Sequence, residues 1–175
     1  MVPRTLLNLI DKNEYLKIVS DLYISNGFEF YLVGGAVRDG ILDIDTKDFD
    51  FTTNASPEDS ISLLNSNGYK TTEIGREFGT IELQIDDNSV HITTYRKDTY
   101  ENSSRNPSIE SAADLNTDLS RRDFTINSIA YSIKENELVD PFLGVKDLAS
   151  GTIRTPDDPI TVSYTHLTLP TKRIV

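Results

Sequence analysis

Asp48 and Asp50 stand one residue apart in a short run that alternates acidic and aromatic side chains. Successive side chains on a strand point to opposite faces, so both carboxylates would project from one face while Phe49 and Phe51 point into the core. Two carboxylates on one face suit Mg²⁺, which prefers hard oxygen ligands and completes its shell with water and substrate phosphate. The spacing therefore predicts a metal site that acts on a nucleoside triphosphate, as in nucleotidyl transfer.

A glycine pair precedes the two aspartates. Residues 28–33 predict a buried strand, and Gly34 and Gly35 lead from it into a short helix predicted for residues 36–42. Glycines at a strand-to-helix turn let backbone N–H groups approach an anion closely, and the N-terminus of a helix favours negative charge. Arg38 would add a fork of donors to a phosphate. Taken alone, the glycines are equally consistent with a tight turn, and the aspartates with a solvated strand edge.

A third segment, residues 120–131, combines an apolar stripe with charged residues. The stripe recurs at helical spacing and consists of Phe124, Ile126, Ile129 and Ala130. It predicts a helix with Arg121, Arg122 and Asp123 near its start. Adjacent arginines at the N-terminus of a helix are unfavourable for the macrodipole, so the pattern favours a compensating anion such as a triphosphate. An ordinary capped helix is the alternative.

Together these motifs resemble the head domain of the class II tRNA nucleotidyltransferases and of the bacterial poly(A) polymerases. The family has, in order, a Gly-Gly-x-x-Arg-Asp turn, an Asp-x-Asp strand, an Arg-Arg-Asp-Phe-Thr-x-Asn segment and an Asp-Pro-Phe-x-Gly hinge. In this chain they occupy residues 34–39, 48–50, 121–127 and 140–144. Residues 75–80 and 93–96 are also similar to strand signatures of the family, so the resemblance spans residues 28–160.

The resemblance implies an α/β fold, namely a nucleotidyltransferase (polymerase-beta-like) head domain with a mixed β-sheet flanked by helices. It also implies a template-independent RNA nucleotidyltransferase that adds or repairs CCA at tRNA 3′ ends from CTP and ATP and releases pyrophosphate. Asp48 and Asp50 would hold two Mg²⁺ ions, one activating the RNA 3′-hydroxyl and one gripping the triphosphate. The implied nucleotide-binding residues are Gly34, Gly35, Arg38, Arg121, Arg122, Asp123 and Asn127.

Three alternatives stay open: a poly(A) polymerase, an enzyme that adds only part of CCA, and a non-catalytic nucleotide- or metal-binding module. One position departs from the family pattern, since relatives usually carry a glutamate where this chain has His91. Imidazole suits a hard metal less well, and a lone histidine on a half-buried strand is commonly a neutral surface residue. Glu82, in an alternating run on a neighbouring predicted strand, is another acid that could face the site.

The remaining pattern predicts the elements around these motifs. An amphipathic helix covers residues 5–26 and ends at Asn26-Gly27. A second helix opens at Ser56-Pro57 and closes at Asn67-Gly68. The strands after it are predicted near residues 69–74, 79–86 and 89–95. Residues 96–118 are polar and lack periodicity, which predicts a long loop; a mobile loop occupies this place in the family, so we interpret it as a gate.

These elements divide the chain. We expect an N-terminal helix within residues 1–27, the nucleotidyltransferase head over 28–140 and the start of a hinge and neck over 141–161. Residues 162–175 resemble a translated sequencing adapter, and we exclude them from fold reasoning. On that interpretation the natural frame continues after Ile160, the segment that selects CTP or ATP in relatives is missing, and catalysis by the fragment is impaired.

Composition narrows the remaining classes of function. The 175 residues carry 17 Lys and Arg against 28 Asp and Glu, a formal net charge of −11 at pH 7. Affinity for nucleic acid depends on phosphate neutralisation by Lys and Arg, so we expect the tRNA 3′ end to be gripped mostly by other parts. The absence of cysteine excludes disulfides. No run is long enough for a membrane span and no signal-peptide layout is present, so we expect a cytoplasmic protein.

Overall fold

The computed structural model describes residues 2–74, 79–85, 88–99, 108–111 and 114–156. Its helices are α1 (Arg4–Lys12), α2 (Tyr15–Ser25), α3 (Gly35–Ile41), α4 (Pro57–Ser66), α5 (Leu115–Ser120) and α6 (Gly144–Ser150), with a 3₁₀ turn at Thr125–Asn127. Its strands are β1 (Phe30–Val33), β2 (Asp48–Thr53), β3 (Lys70–Glu73), β4 (Thr80–Ile85), β5 (Asn88–Thr94), β6 (Arg96–Thr99), β7 (Ser108–Ser111), β8 (Ala130–Ser132) and β9 (Glu137–Val139). The first four residues of the predicted family signature at 75–80 and the proposed adapter segment 162–175 lie outside the described residues.

Seven strands form one mixed sheet in the order β3-β4-β5-β2-β1-β8-β9. Strands β2 and β5 run parallel, and the other neighbouring pairs in this sheet are antiparallel. A parallel pair needs a crossover connection, which α4 and the β3-β4 hairpin provide. The predicted α/β fold with a mixed sheet and flanking helices is confirmed.

Helices cover one face of the sheet, where the alternating side chains of β2 point inward. Phe49 and Phe51 are 0% and 1% exposed. Tyr23 on α2 stacks on Phe30 at 4.2 Å between ring centroids, and Phe30 stacks on Phe51 at 4.5 Å. Such ring pairs stabilise by about 0.5–1.5 kcal/mol beyond the apolar area they bury. They fix the orientation of β2, and with it the face on which Asp48 and Asp50 lie.

The prediction of one helix over residues 5–26 is wrong, because α1 ends at Lys12 and α2 begins at Tyr15. Asn13 ends α1 with a backbone φ of −120°, and its side-chain amide donates a 2.8 Å hydrogen bond to the carbonyl of Leu9. Asparagine side chains compete with helical hydrogen bonds in this way. Both helices place apolar residues in the same core, so the apolar pattern continues across a break that it does not reveal.

The helix predicted for residues 120–131 is also wrong. Asp114 caps α5 by accepting a 2.8 Å hydrogen bond from the backbone N–H of Thr117, so the helix begins earlier and ends at Ser120. The following residues form the 3₁₀ turn, and Ala130 pairs with Val33 in the sheet. Periodicity alone does not separate a short apolar run in a strand from one in a helix, and here pairing with β1 decides.

The described parts of residues 96–118 are not the unstructured loop that the sequence predicts. Strands β6 and β7 form an antiparallel pair in which Arg96 faces Ser111 and Thr99 faces Ser108. Helix α5 begins within the same stretch. Four-residue strands of mostly polar residues carry no apolar alternation, so the sequence gives no signal for them. Residues 100–107 and 112–113 are outside the described part, and the gate interpretation stays a prediction.

The predictions for α4 and the strands after it are confirmed. Ser56 Oγ accepts a 3.0 Å hydrogen bond from the backbone N–H of Asp59, and Pro57 occupies the first helical turn. Gly68 follows α4 with φ +83°, the left-handed conformation that glycine adopts at helix ends. In the described ranges, no helix is long and apolar enough to cross a membrane.

Candidate active site

Asp48 and Asp50 project from the sheet face opposite the aromatic core, as the alternation predicts. Both are exposed, whereas Phe49 and Phe51 between and beside them are buried. Neither carboxylate accepts a hydrogen bond from any residue that the structure describes. Two solvent-facing carboxylates on one face form a hard oxygen donor set, which fits Mg²⁺ and leaves room for water and substrate oxygens.

The Gly34 turn lies directly beside Asp50. Gly34 has φ +71° and ψ −139°, a conformation that side chains rarely adopt. A Cβ atom at Gly34 would stand 3.4 Å from Arg122 Nη1 and 3.8 Å from Asp50 Oδ2. A Cβ atom at Gly35, the first residue of α3, would stand 3.5 Å from Arg38 Nη2. The structure therefore brings the glycine turn, a carboxylate and two arginines of distant segments together.

Arg38, Asn127 and Asp123 form a hydrogen-bonded chain from α3 to the 3₁₀ turn. Arg38 Nη1 donates to Asn127 Oδ1 at 2.8 Å, and its Nε donates to Asp39 Oδ1 at 2.8 Å. Asn127 Nδ2 donates to Asp123 Oδ1 at 2.9 Å, an oxygen that also accepts the backbone N–H of Phe124. This chain of hydrogen bonds fixes the edge of the site, although Arg38 is 89 residues away from Asn127 in sequence.

Arg121 and Arg122 both bind Asp118, a residue that the sequence interpretation missed. Arg121 Nη2 donates to Asp118 Oδ1 at 2.8 Å, and Arg122 Nη2 donates to Oδ2 at 3.2 Å. The arginines follow the C-terminus of α5, where cations are favourable, so the inference that an anion must compensate them at a helix N-terminus is wrong. Asp118 stands three and four residues before them, a spacing that places side chains together on a helix.

The charges in this cluster shift each other. Burial acts to raise the pKa of Asp118, but the guanidinium charges of Arg122 and Arg121, with their hydrogen bonds, hold it below its ordinary value. Burial lowers the pKa of Arg122, and the neighbouring Asp118 carboxylate acts against that effect. A guanidinium stays protonated in proteins. The cluster therefore keeps one carboxylate and two guanidinium groups charged next to the Asp50 side of the sheet.

His91 and Glu82 extend the row from Asp50 across the sheet. Asp50 on β2 is in register with His91 on β5, and His91 with Glu82 on β4. His91 Nδ1 lies 3.4 Å from Asp50 Oδ1. Glu82 Oε1 accepts hydrogen bonds from Ser89 and Gln84, so this carboxylate is engaged. Among the described residues, no three histidine or acidic side chains are arranged to hold a metal.

The Asp-Pro-Phe-x-Gly segment docks α6 against the 3₁₀ turn. Asp140 accepts the backbone N–H groups of Gly144 at 2.6 Å and of Val145 at 3.0 Å. A Cβ atom at Gly144 would stand 2.1 Å from the carbonyl oxygen of Thr125, so only glycine permits this approach. The hydrogen bond from the Thr125 hydroxyl to Asp147, at 2.6 Å, is the largest cause that holds the pKa of Asp147 below its ordinary value.

These features define a class: a mixed sheet that presents an Asp-x-Asp strand beside a glycine turn has the architecture of a nucleotidyltransferase head. Residues 30–154 match the family described as the poly A polymerase head domain. The chain belongs to this family, and the resemblance seen in its motifs is confirmed. A CCA-adding enzyme of Enterococcus faecalis is 37% identical over 136 residues, which cover 77% of this chain and 32% of that protein.

Solved structures give the same result. The crystal structure of the Bacillus stearothermophilus CCA-adding enzyme in complex with CTP is similar with a TM-score of 0.72 and 30% identity, over 83% of this chain and 33% of that one. A tRNA nucleotidyltransferase complexed with a primer tRNA and an incoming ATP analog is similar with a TM-score of 0.63 and 32% identity, over 79% and 39%. The chain spans about a third of the length of the curated relatives it matches.

Proposed function

We propose that this chain carries the catalytic head of a template-independent RNA nucleotidyltransferase that adds or repairs CCA at tRNA 3′ ends from CTP and ATP. The observation that carries the proposal is the pair of exposed carboxylates, Asp48 and Asp50, beside the Gly34 turn and Arg122. The CCA-adding enzymes among the relatives support the choice of nucleotides and of RNA substrate.

Asp48 and Asp50 are the residues that would hold two Mg²⁺ ions. Their hard oxygen atoms are exposed and accept no hydrogen bond within the described part of the chain, which suits this ion. When bound, such ions supply activation of the RNA 3′-hydroxyl and neutralise charge on the departing pyrophosphate. The polar side chains of His91 on β5 and Glu82 on β4 lie beside Asp50 in the sheet register.

The surrounding residues would bind and orient the nucleotide. Gly34 and Gly35 carry no side chain where the triphosphate approaches the carboxylates. Arg122 binds Asp118 through Nη2, while its buried Nε has no hydrogen-bond partner among the described residues. A guanidinium held in this way presents its other donors to an anion. Arg38, Arg121, Asp123 and Asn127 would position phosphate and ribose, and positioning with charge stabilisation is the main contribution such a site makes.

A poly(A) polymerase is the second candidate, and the description of the matching family favours it. The two activities use the same transfer chemistry and differ in the product. A CCA-adding enzyme extends a tRNA that lacks its 3′ end with two C residues and one A and then stops. A poly(A) polymerase extends RNA with ATP alone and continues.

The test is nucleotide incorporation by the purified chain. A tRNA transcript lacking CCA is incubated with Mg²⁺, CTP and ATP, together and separately, and the products are resolved at single-nucleotide length. Because we expect this chain to be impaired in catalysis and in its choice of nucleotide, we expect slow incorporation of both CTP and ATP that Asp48→Asn and Asp50→Asn each abolish, and incorporation of ATP alone would favour a poly(A) polymerase. Asp45→Asn, which removes an exposed carboxylate paired with Lys12 just before β2, is the control and should leave incorporation unchanged. Incorporation that survives both substitutions would refute the proposed catalytic pair.

A further inference from the structure

Asp118 is completely buried, yet its partners are charged or polar groups rather than core side chains. Its Oδ1 accepts hydrogen bonds from Arg121 Nε at 3.1 Å and Nη2 at 2.8 Å, and from the backbone N–H of Arg96 at 3.2 Å. Its Oδ2 accepts from Arg122 Nη2 at 3.2 Å and from the Thr52 hydroxyl at 3.1 Å. One carboxylate thus joins three segments: β2, the start of β6 and the end of α5.

Stability alone is a weak explanation for such a group. Removing a carboxylate from water is costly, and buried ion pairs are often replaced by apolar residues without loss of stability. Apolar neighbours for such a replacement are at hand, because Leu115 and Leu119 of the same helix pack with Val33 and Ala130. The charge on Asp118 is therefore better explained by its effect on the two arginines that it binds.

Arg122 lies near the carboxylate strand. Arg122 Nη1 points to the position that a Cβ atom at Gly34 would occupy, and Asp50 lies close enough to influence the charge of Arg122. Two adjacent guanidinium groups repel each other, and long arginine side chains lose considerable rotamer freedom when they are fixed. Asp118 binds one guanidinium group on each carboxylate oxygen. These contacts offset both the repulsion between the two arginines and their loss of rotamer freedom.

We propose that Asp118 is a positioning residue that fixes Arg121 and Arg122 relative to Asp50, so that the donors left on Arg122 face the phosphates of the incoming triphosphate. The bond from Thr52 sets this arrangement, since Thr52 lies two residues after Asp50 on the same strand and the same face. The proposal rests on the proposed function and deepens it. Asp118 itself touches neither substrate nor metal.

The first test is Asp118→Asn, which keeps the shape of the side chain and removes its charge. The probes are inorganic tripolyphosphate in saturating Mg²⁺, followed by calorimetry, and Mn²⁺ alone, followed by the electron paramagnetic resonance signal of the free ion. Because hydrogen bonds to charged groups are lost, we expect tripolyphosphate to bind at least about tenfold more weakly. Mn²⁺ affinity should stay within about twofold, because the carboxylates on β2 are untouched. A general loss of structure would reduce both affinities.

Asp147→Asn is the matched control. Asp147 is also a buried aspartate that accepts a threonine hydroxyl and an arginine guanidinium, but it does so on α6 with Thr125 and Arg154. We expect this variant to lower stability and to leave both affinities unchanged. An equal loss of tripolyphosphate affinity in the two variants would overturn the inference.

If Asp118→Asn does not fold, a second pair of variants tests whether Asp118 positions the arginines. Thr52→Val removes one hydrogen bond to Asp118 and keeps every charge, whereas Thr53→Val removes the hydroxyl of the next residue, which donates to the carbonyl of Glu29. Both threonines are 0% exposed. We expect Thr52→Val to weaken tripolyphosphate binding by about three- to fivefold. Thr53→Val should bind like the wild type, and equal binding by both variants would contradict the proposal.

The two failures are distinguishable. If the wild-type chain binds neither Mn²⁺ nor tripolyphosphate, the proposed function is wrong and the role of Asp118 falls with it. If the wild-type chain binds both and Asp118→Asn binds tripolyphosphate equally well, only the role of Asp118 is wrong.

Discussion

Asp50 has a different kind of neighbour on each side. His91 lies on the adjacent parallel strand, with Nδ1 3.4 Å from Asp50 Oδ1. Gly34 and Arg122 lie on the other side, around the turn after β1. The imidazole is therefore the side chain at the position where we expect a glutamate in relatives, and the Arg122 guanidinium is close enough to Asp50 for the two charges to influence each other.

His91 contributes little to holding a metal on this account. Its separation from Asp50 exceeds a good hydrogen bond, and both side chains are substantially exposed, so the contact is worth at most about 1 kcal/mol. We expect His91→Ala to change the dissociation constant for Mn²⁺ by less than about fivefold, measured from the free-ion resonance signal. A loss of tenfold or more would identify His91 as a metal ligand in place of the family's glutamate.

Gly34 meets two requirements at once: the backbone conformation of the turn, and the space beside Arg122 and Asp50. Gly34→Ala places a side chain in a sparsely populated conformation, which costs about 1–3 kcal/mol, and crowds Arg122 Nη1. We expect lower stability in urea denaturation together with weaker tripolyphosphate binding. Gly68→Ala is the control, because it also has positive φ but nothing within 4 Å of the added Cβ atom. It should lose stability only, and a loss of phosphate affinity in both variants would refute the role of the turn.

At the level of elements, α6 packs tightly against the 3₁₀ turn at Gly144, next to the site. Gly144→Ala forces a Cβ atom to within 2.1 Å of the Thr125 carbonyl unless α6 moves. Overpacking of this kind costs about 1–3 kcal/mol and occasionally more, which denaturation in urea will measure. Gly151 has positive φ and nothing within 4 Å of an added Cβ atom. The loss of stability in Gly151→Ala therefore reports backbone strain alone. Equal losses in the two variants would show that the close packing of α6 is unimportant.

The elements that the sequence predicts correctly are those with local signals. Ser56 and Pro57 mark the start of α4, and the alternation around Phe49 marks β2 with its exposed carboxylates. The break after Lys12 was missed, because the apolar pattern continues on both sides of it. The segment after Arg122 was predicted as a helix, because its pairing with β1 is a contact between distant residues that periodicity does not report.

The same error concealed Asp118. Its spacing from the two arginines is visible in the sequence, but a helix placed after the arginines leaves it outside the element where that spacing has meaning. Thr52 and the backbone of Arg96, its other partners, come from elements 66 and 22 residues away. The types and spacing of the residues therefore predict the candidate site, whereas the role of Asp118, which binds Arg121 and Arg122, depends on contacts of the tertiary fold.

At the level of the whole molecule, buried carboxylates make stability depend on acid pH. The pKa of Asp118 lies below its ordinary value of 3.8 in the folded chain, because the nearby guanidinium charges outweigh the effect of burial. Its stabilising contribution is therefore complete above the unfolded pKa and is lost as pH falls through the folded pKa.

We expect the difference in unfolding free energy between wild type and Asp118→Asn to shrink as pH falls from about 5 to about 2. Urea denaturation followed by circular dichroism at a series of pH values measures this difference. A difference that stays constant over the whole range would show that the carboxylate is not charged and paired in the folded protein.

The net charge of −11 sets a second property of the whole chain. An acidic surface opposes RNA, whose affinity for proteins comes from phosphate neutralisation. The cations of the described site are paired with carboxylates, as Arg121 and Arg122 are with Asp118. This pairing supports the proposal that the site takes a triphosphate together with a divalent metal rather than a bare RNA backbone.

The most direct test of the central claim is a Mn²⁺ titration with and without CTP, read from the free-ion resonance signal. We expect the wild-type chain to bind Mn²⁺ and CTP to tighten this binding. Asp48→Asn and Asp50→Asn should each weaken Mn²⁺ binding at least about tenfold. Asp45→Asn should titrate like the wild type. Unchanged Mn²⁺ binding in the Asp48 and Asp50 variants would contradict the claim that these carboxylates form the metal site.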